Sequence, residues 1–119
     1  MRYLFLLHSS RPALPEPGTQ AFDEMFADWS ASTEAMARAG VLIECAPLGP
    51  VDTATTVRVR GGETLLTDGP AAEIKEQVGG YAIVDCADLD EALRWAARVP
   101  AARDASVEVR PILTVEAPA

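Results

Sequence analysis

Two short runs, Tyr3 to Leu7 and Tyr81 to Val84, are apolar at successive positions, so a strand formed by either must be buried on both faces. The chain offers few elements for that burial. From Thr19 to Ala39 the large residues Phe22, Met25, Phe26, Trp29, Thr33 and Met36 fall on one stripe of a helix, which reads as core. From Asp88 to Val99 a shorter stripe is made by Leu89, Ala92, Leu93 and Ala96. Two helices cover one face of a sheet, and the other face then needs a cover of its own. A second copy of the same sheet is the economical one.

The remaining segments fix the order. Tyr3 to His8 is the first strand, and Val41 to Ala46 is a second, stopped by Pro47 and the Gly49-Pro50 pair. Thr55 to Arg60 alternates, Gly61-Gly62 follows, and Glu63 to Thr67 runs back, which is the pattern of a β-hairpin with both turn residues at positive φ. Val78 to Val84 is the next strand and Ser106 to Arg110 the last, with Pro111 marking a sheet edge. Thr19 and Asp88 can cap the helices, Glu91 completes a box-like start, Gly40 can end the first helix and Pro100 the second. The order β-α-β, hairpin, β-α-β is the ferredoxin-like arrangement with an inserted hairpin. It is an α+β class, with an antiparallel sheet and two helices on one face. The first and third main strands are central. The edge strands carry Glu44, Glu108 and Arg110. The proline-rich stretch Ser9 to Gly18 is a connector or a lid.

A length of 119 residues suits one domain over residues 1–119. The formal charge of −8 argues against nucleic acid and against anionic lipid as partners. No apolar run reaches the length of a membrane span, and the apolar start is too short for a secretory signal, so a cytoplasmic location is expected. One histidine does not anchor a zinc site, and Cys45 and Cys86 read as small buried hydrophobes; neither a metal nor a cofactor is expected.

The segment Thr67-Asp68-Gly69-Pro70-Ala71-Ala72-Glu73-Ile74-Lys75-Glu76-Gln77-Val78-Gly79-Gly80-Tyr81 resembles the signature of the YCII-related family, and within it the DGPF subfamily named for Asp-Gly-Pro-Phe. The resemblance continues through Asp88-Leu89-Asp90-Glu91-Ala92-Leu93, Trp95-Ala96-Ala97-Arg98 and Val107-Glu108-Val109-Arg110-Pro111. Upstream, Ala39-Gly40-Val41-Leu42 and Thr55-Thr56-Val57-Arg58 fit as well. One position departs, since Ala71 stands where the signature has Phe, which would open a site that the Phe walls. The resemblance implies a ferredoxin-like fold that pairs into a dimeric α/β barrel. It implies no settled activity: some relatives degrade aromatic compounds, some are encoded beside extracytoplasmic-function sigma factors, and a His–Asp pair has been proposed as the YCII active site.

On residues alone, Asp68 before Gly69-Pro70 can accept backbone N–H bonds in a tight turn, with Glu73, Lys75 and Glu76 as a charged shoulder. Lys75 is the sole lysine. The segment reads either as a rigid solvated turn or as a ligand-facing one. His8 ends a central strand on the Leu4, Leu6 face. There it either bonds to backbone or serves as an acid–base group, with a carboxylate fixing its tautomer. The site expected is therefore His8 and Asp68 as the catalytic pair, with Lys75, Glu73, Tyr81 and Arg110 as binding residues, in a cleft made apolar by Leu4, Leu6 and Ile83. Two functions fit. One is a homodimer that binds or transforms a small acidic or aromatic metabolite without a cofactor, as an isomerase, lyase or dehydrohalogenase-like catalyst. The other is a non-catalytic ligand-binding or regulatory module with a protein partner, such as an accessory of a sigma factor.

Overall fold

The computed structural model describes residues 1–10 and 14–117. Residues 11–13, in the middle of the proline-rich stretch, and residues 118–119 lie outside the described residues, so the reading of that stretch as lid or connector falls partly outside them. Strand β1 (Arg2–Ser9) leads to helix α1 (Gln20–Arg38) and strand β2 (Leu42–Pro47). A short 3-10 turn, Val51–Thr53, precedes the hairpin of β3 (Thr55–Arg60) and β4 (Glu63–Asp68). Then come β5 (Gln77–Asp85), α2 (Leu89–Ala96), α3 (Ala101–Asp104) and β6 (Ser106–Pro111). The main sheet has the order β2-β5-β1-β6 with every pair antiparallel, and the hairpin forms a separate two-stranded sheet. This is the ferredoxin-like order, with the two doubly apolar strands at its centre.

Register decides which side chains meet. Tyr3, Phe5 and Leu7 lie opposite Val84, Ala82 and Gly80 on β5, and this row packs under the helices with Met36, Val41, Ala92, Ala96 and Val99. Leu4 and Leu6 lie opposite Ile83 and Tyr81 on the other face, where they stay half-buried. A register irregularity between Leu7 and His8 shifts the pairing so that His8 meets Val78 on β5 and Ser106 on β6. Gly80 suits the close approach of β2, because a Cβ there would sit a tight 3.1 Å from the Ala46 carbonyl oxygen.

Local chemistry sets the element ends. The Thr19 side chain accepts from the Phe22 amide at 3.2 Å, and Gly40 takes φ +75° after the helix. Gly61 and Gly62 take φ +59° and +79°, as a primed hairpin turn demands. Gly69 takes φ +102°, which overrides the extended preference expected of a residue before proline. The second helix ends at Ala96, short of the expected Val99, and a third helix follows it. Pro100 does not simply end a helix: its φ of −53° starts the next one, where its missing N–H costs nothing. Asp88 caps α2 by accepting from the Glu91 amide at 2.9 Å, while Glu91 reaches back to the Ala87 amide. Replacing Asp88 by alanine is expected to cost about 1 kcal/mol, read as a lower urea midpoint at unchanged slope.

The chain is a plate. Its extents are 51 × 48 × 20 Å and its radius of gyration is 16.6 Å. A compact chain of this length would have a radius of about 13–14 Å.

Candidate functional site

A groove of about 340 Å³ opens where β1 leaves the sheet, a size typical of small-molecule sites. Its walls are Leu7 and the Gly79-Gly80 backbone from the sheet, Met25, Phe26 and Trp29 from α1, and Val99 beneath them. The aromatic stripe of α1 is thus core only in part. Met36 is buried, but Phe26 is 59% exposed and faces the groove side by side with Phe22, ring centroids 6.2 Å apart. Ser10 and Asp104 supply polar groups along the groove, and His8 borders it at the end of β1.

His8 is the best-held of these, with its side chain 15% exposed. Nδ1 lies 3.4 Å from the Glu76 carbonyl oxygen, and Nε2 lies 3.8 Å from Glu108 Oε1. A carbonyl oxygen only accepts, so a hydrogen bond there needs Nδ1–H and leaves Nε2 facing the Glu108 carboxylate. Ser106 donates to the Glu76 carboxylate at 2.8 Å, which ties the loop bearing that carbonyl to β6. Glu108 Oε2 is in turn 3.8 Å from Arg110 Nε, so the face of β6 presents a row of carboxylate and guanidinium beside the imidazole.

The pairing expected between His8 and Asp68 is not made, since both ring nitrogens face other groups. Asp68 ends β4 in the separate hairpin sheet, opposite Thr55, and is exposed. Glu73 and Lys75 are exposed in the segment between β4 and β5. Tyr81 lies on the open sheet face and donates to Glu44 Oε1 at 3.0 Å. That bond, then partial burial, holds the phenol above its usual pKa, so Tyr81 acts as a donor. Of the expected binding residues, Arg110 alone joins the row that includes His8, through Glu108. Leu4, Leu6 and Ile83, expected to line the cleft, do not line this groove, which opens on the helix side and takes Leu7 from β1. Glu108 was the residue missed as a partner for His8. Its signal was present in the alternation of the last strand, which pairs it with Leu6, one step along the same face from His8.

Both thiols are held above the ordinary thiol pKa. Burial pushes Cys45 up, and burial followed by its bond with Glu91 pushes Cys86 to about 11. Because the folded value for Cys86 lies above the ordinary 9.0, this stability is complete below pH 9 and is lost as pH rises to about 11. Urea midpoints are expected to fall across that interval, with an excess loss on the order of 2 kcal/mol relative to Cys86→Ala. Equal alkaline slopes in the two proteins would remove this role. Among the described residues no group of three or more His, Cys, Asp or Glu is placed to hold a metal ion, and no helix is long and apolar enough to cross a membrane.

The sequence pattern of the YCII-related domain matches residues 1–116. The chain belongs to the YCII-related family. An uncharacterised protein of Rhizobium meliloti is 37% identical over 114 residues, covering 94% of this chain and 92% of that protein. Among solved structures, the chain is similar to 5-chloro-2-hydroxyhydroquinone dehydrochlorinase from Burkholderia phenoliruptrix, in complex with 2,5-dihydroxybenzoquinone. That match has a TM-score of 0.50 at 16% identity and covers 95% of this chain and 94% of the other. At this identity the likeness concerns the fold, and it agrees with the α+β architecture described above.

Proposed function

We propose that this YCII-related chain, as a homodimer, binds a small ring-bearing molecule in the groove and moves a proton on it through His8, without a cofactor. The observation that carries the reading is a groove walled by Phe26 and Trp29 with His8 at its border, the imidazole lying 3.4 Å from the Glu76 carbonyl and 3.8 Å from Glu108. Aromatic walls favour a flat apolar ligand by offset or edge-on ring contact. Nε2 takes the proton, Nδ1–H stays on the Glu76 carbonyl, and Glu108 stabilises the imidazolium that forms. Isomerisation and elimination, including loss of hydrogen halide, are the reaction types that need only such a group. The related fold of a dehydrochlorinase supports this class of chemistry. The homodimer is supported by the half-buried Leu4, Leu6 and Ile83 on the open sheet face.

The test is a fluorescence titration with catechol, hydroquinone and a hydroxybenzoquinone. Trp29 lines this groove and Trp95 a different cleft, so Trp29→Phe separates their signals. Saturable quenching that disappears in Trp29→Phe is the expected result. Absence of saturable quenching with every ring compound would overturn the reading.

A further inference from the structure

The hairpin β3–β4 presents an apolar face that its own chain does not cover. Val57 lies opposite Leu66 and Val59 opposite Thr64, so these side chains share one face. Val57, Val59 and Leu66 are 60%, 59% and 69% exposed. The bonds that fix the arm are made at its own base: the Gly69 amide donates to the Ala54 carbonyl at 2.8 Å, and Thr56 Oγ1 donates to the Gly69 carbonyl at 2.7 Å. The arm is therefore well formed, yet it stands apart from the main sheet with the Asp68-Gly69-Pro70 turn at its root.

We infer that this arm is a clasp whose Val57, Val59, Leu66 face is covered by a second copy of the chain. The inference rests on the homodimer proposed above and specifies which element completes its interface. Two observations choose a second copy as occupant. The first is area. Four strands at about 4.8 Å spacing and about 20 Å length give the open sheet face a footprint of about 400 Å². A stable interface takes about 800 Å² from each partner. The arm, two strands wide and about 20 Å long, adds about 200 Å² of footprint, and side-chain relief adds more. The second is shape. A plate 20 Å thick and about 50 Å across is far from compact, whereas two such plates stacked make a body of nearly even dimensions. A two-fold contact lets each copy cover the apolar surface of the other with one repeated patch.

Sedimentation velocity on the full chain tests this. The wild type is expected to be a dimer at about 50 µM, an ordinary working concentration at which a standard-size interface is occupied. The double variant Val57→Glu with Leu66→Glu should raise the dimer dissociation constant at least about 100-fold, by burying charge in the contact. Leu65→Glu, on the opposite face of the arm, should change it less than about 5-fold, as surface positions do. A second readout does not depend on charge: Val59→Cys should be alkylated at least about 10-fold more slowly in the dimer than after dilution to monomer, since covered thiols react slowly. A wild-type chain that stays monomeric would overturn both the clasp and the dimer and leave the arm to a different protein. A wild-type dimer that survives the double substitution, with Val59→Cys freely alkylated, would overturn the clasp alone. The groove is built within one chain, so ring-compound binding should persist in the double variant either way.

Discussion

Replacing His8 by glutamine is expected to lower turnover by two to four orders of magnitude once a substrate is in hand, the range that a positioned acid–base group contributes. Binding should change little, because Met25, Phe26 and Trp29 carry the contact. Glutamine keeps a donor for the Glu76 carbonyl but has no nitrogen that takes a proton near neutral pH, so it separates positioning from proton transfer. Glu108→Gln should give a smaller loss, about 10-fold, because the carboxylate is half exposed and lies 3.8 Å away. A His8→Gln protein with unchanged turnover and unchanged binding would remove His8 from the chemistry. Loss of binding together with turnover would make His8 a contact residue and not a proton carrier.

How far the sequence revealed this depended on the type of signal. The sheet was legible because burial on both faces leaves an unbroken apolar run, and Tyr3 to Leu7 and Tyr81 to Val84 could only be central. The hairpin was legible because Gly61-Gly62 names its turn. The third helix was not, because Pro100 ends one helical turn and starts another with the same fixed φ. Of the expected site residues, His8 is the one that lies at the groove. Asp68 drew attention as the head of a recognisable turn, but a turn motif says how the backbone bends and not what faces it. Glu108 had no motif, and only its register against Leu6 placed it beside the imidazole. The aromatic stripe of α1 looked like core because hydrophobic periodicity cannot tell a wall facing protein from a wall facing a groove. Met36 and Phe26 sit on one stripe, yet the first is buried and the second is open.

Phe5→Ala should have the largest effect on stability, a loss of about 3–5 kcal/mol. Phe5 is fully buried at the middle of β1, opposite Ala82 on β5 and Val109 on β6. Alanine faces it across β5, so little nearby side-chain volume is free to fill the cavity, and the cost stays near the top of the range. Domains of this kind hold about 5–15 kcal/mol in all, so the variant would spend a large share of it. At about 4 °C per kcal/mol, the melting temperature should drop by about 12–20 °C. Phe5→Leu, which keeps most of the volume, should cost about 1 kcal/mol. A loss below about 1.5 kcal/mol for Phe5→Ala would mean that the helices settle onto the sheet without it. The groove takes Leu7 from the same strand, but on the far side of Leu6 from Phe5, and its other walls come from α1 and Val99. The fraction of Phe5→Ala that remains folded should therefore bind ring compounds with wild-type affinity, which separates the residue that holds the sheet under its helices from those that form the groove.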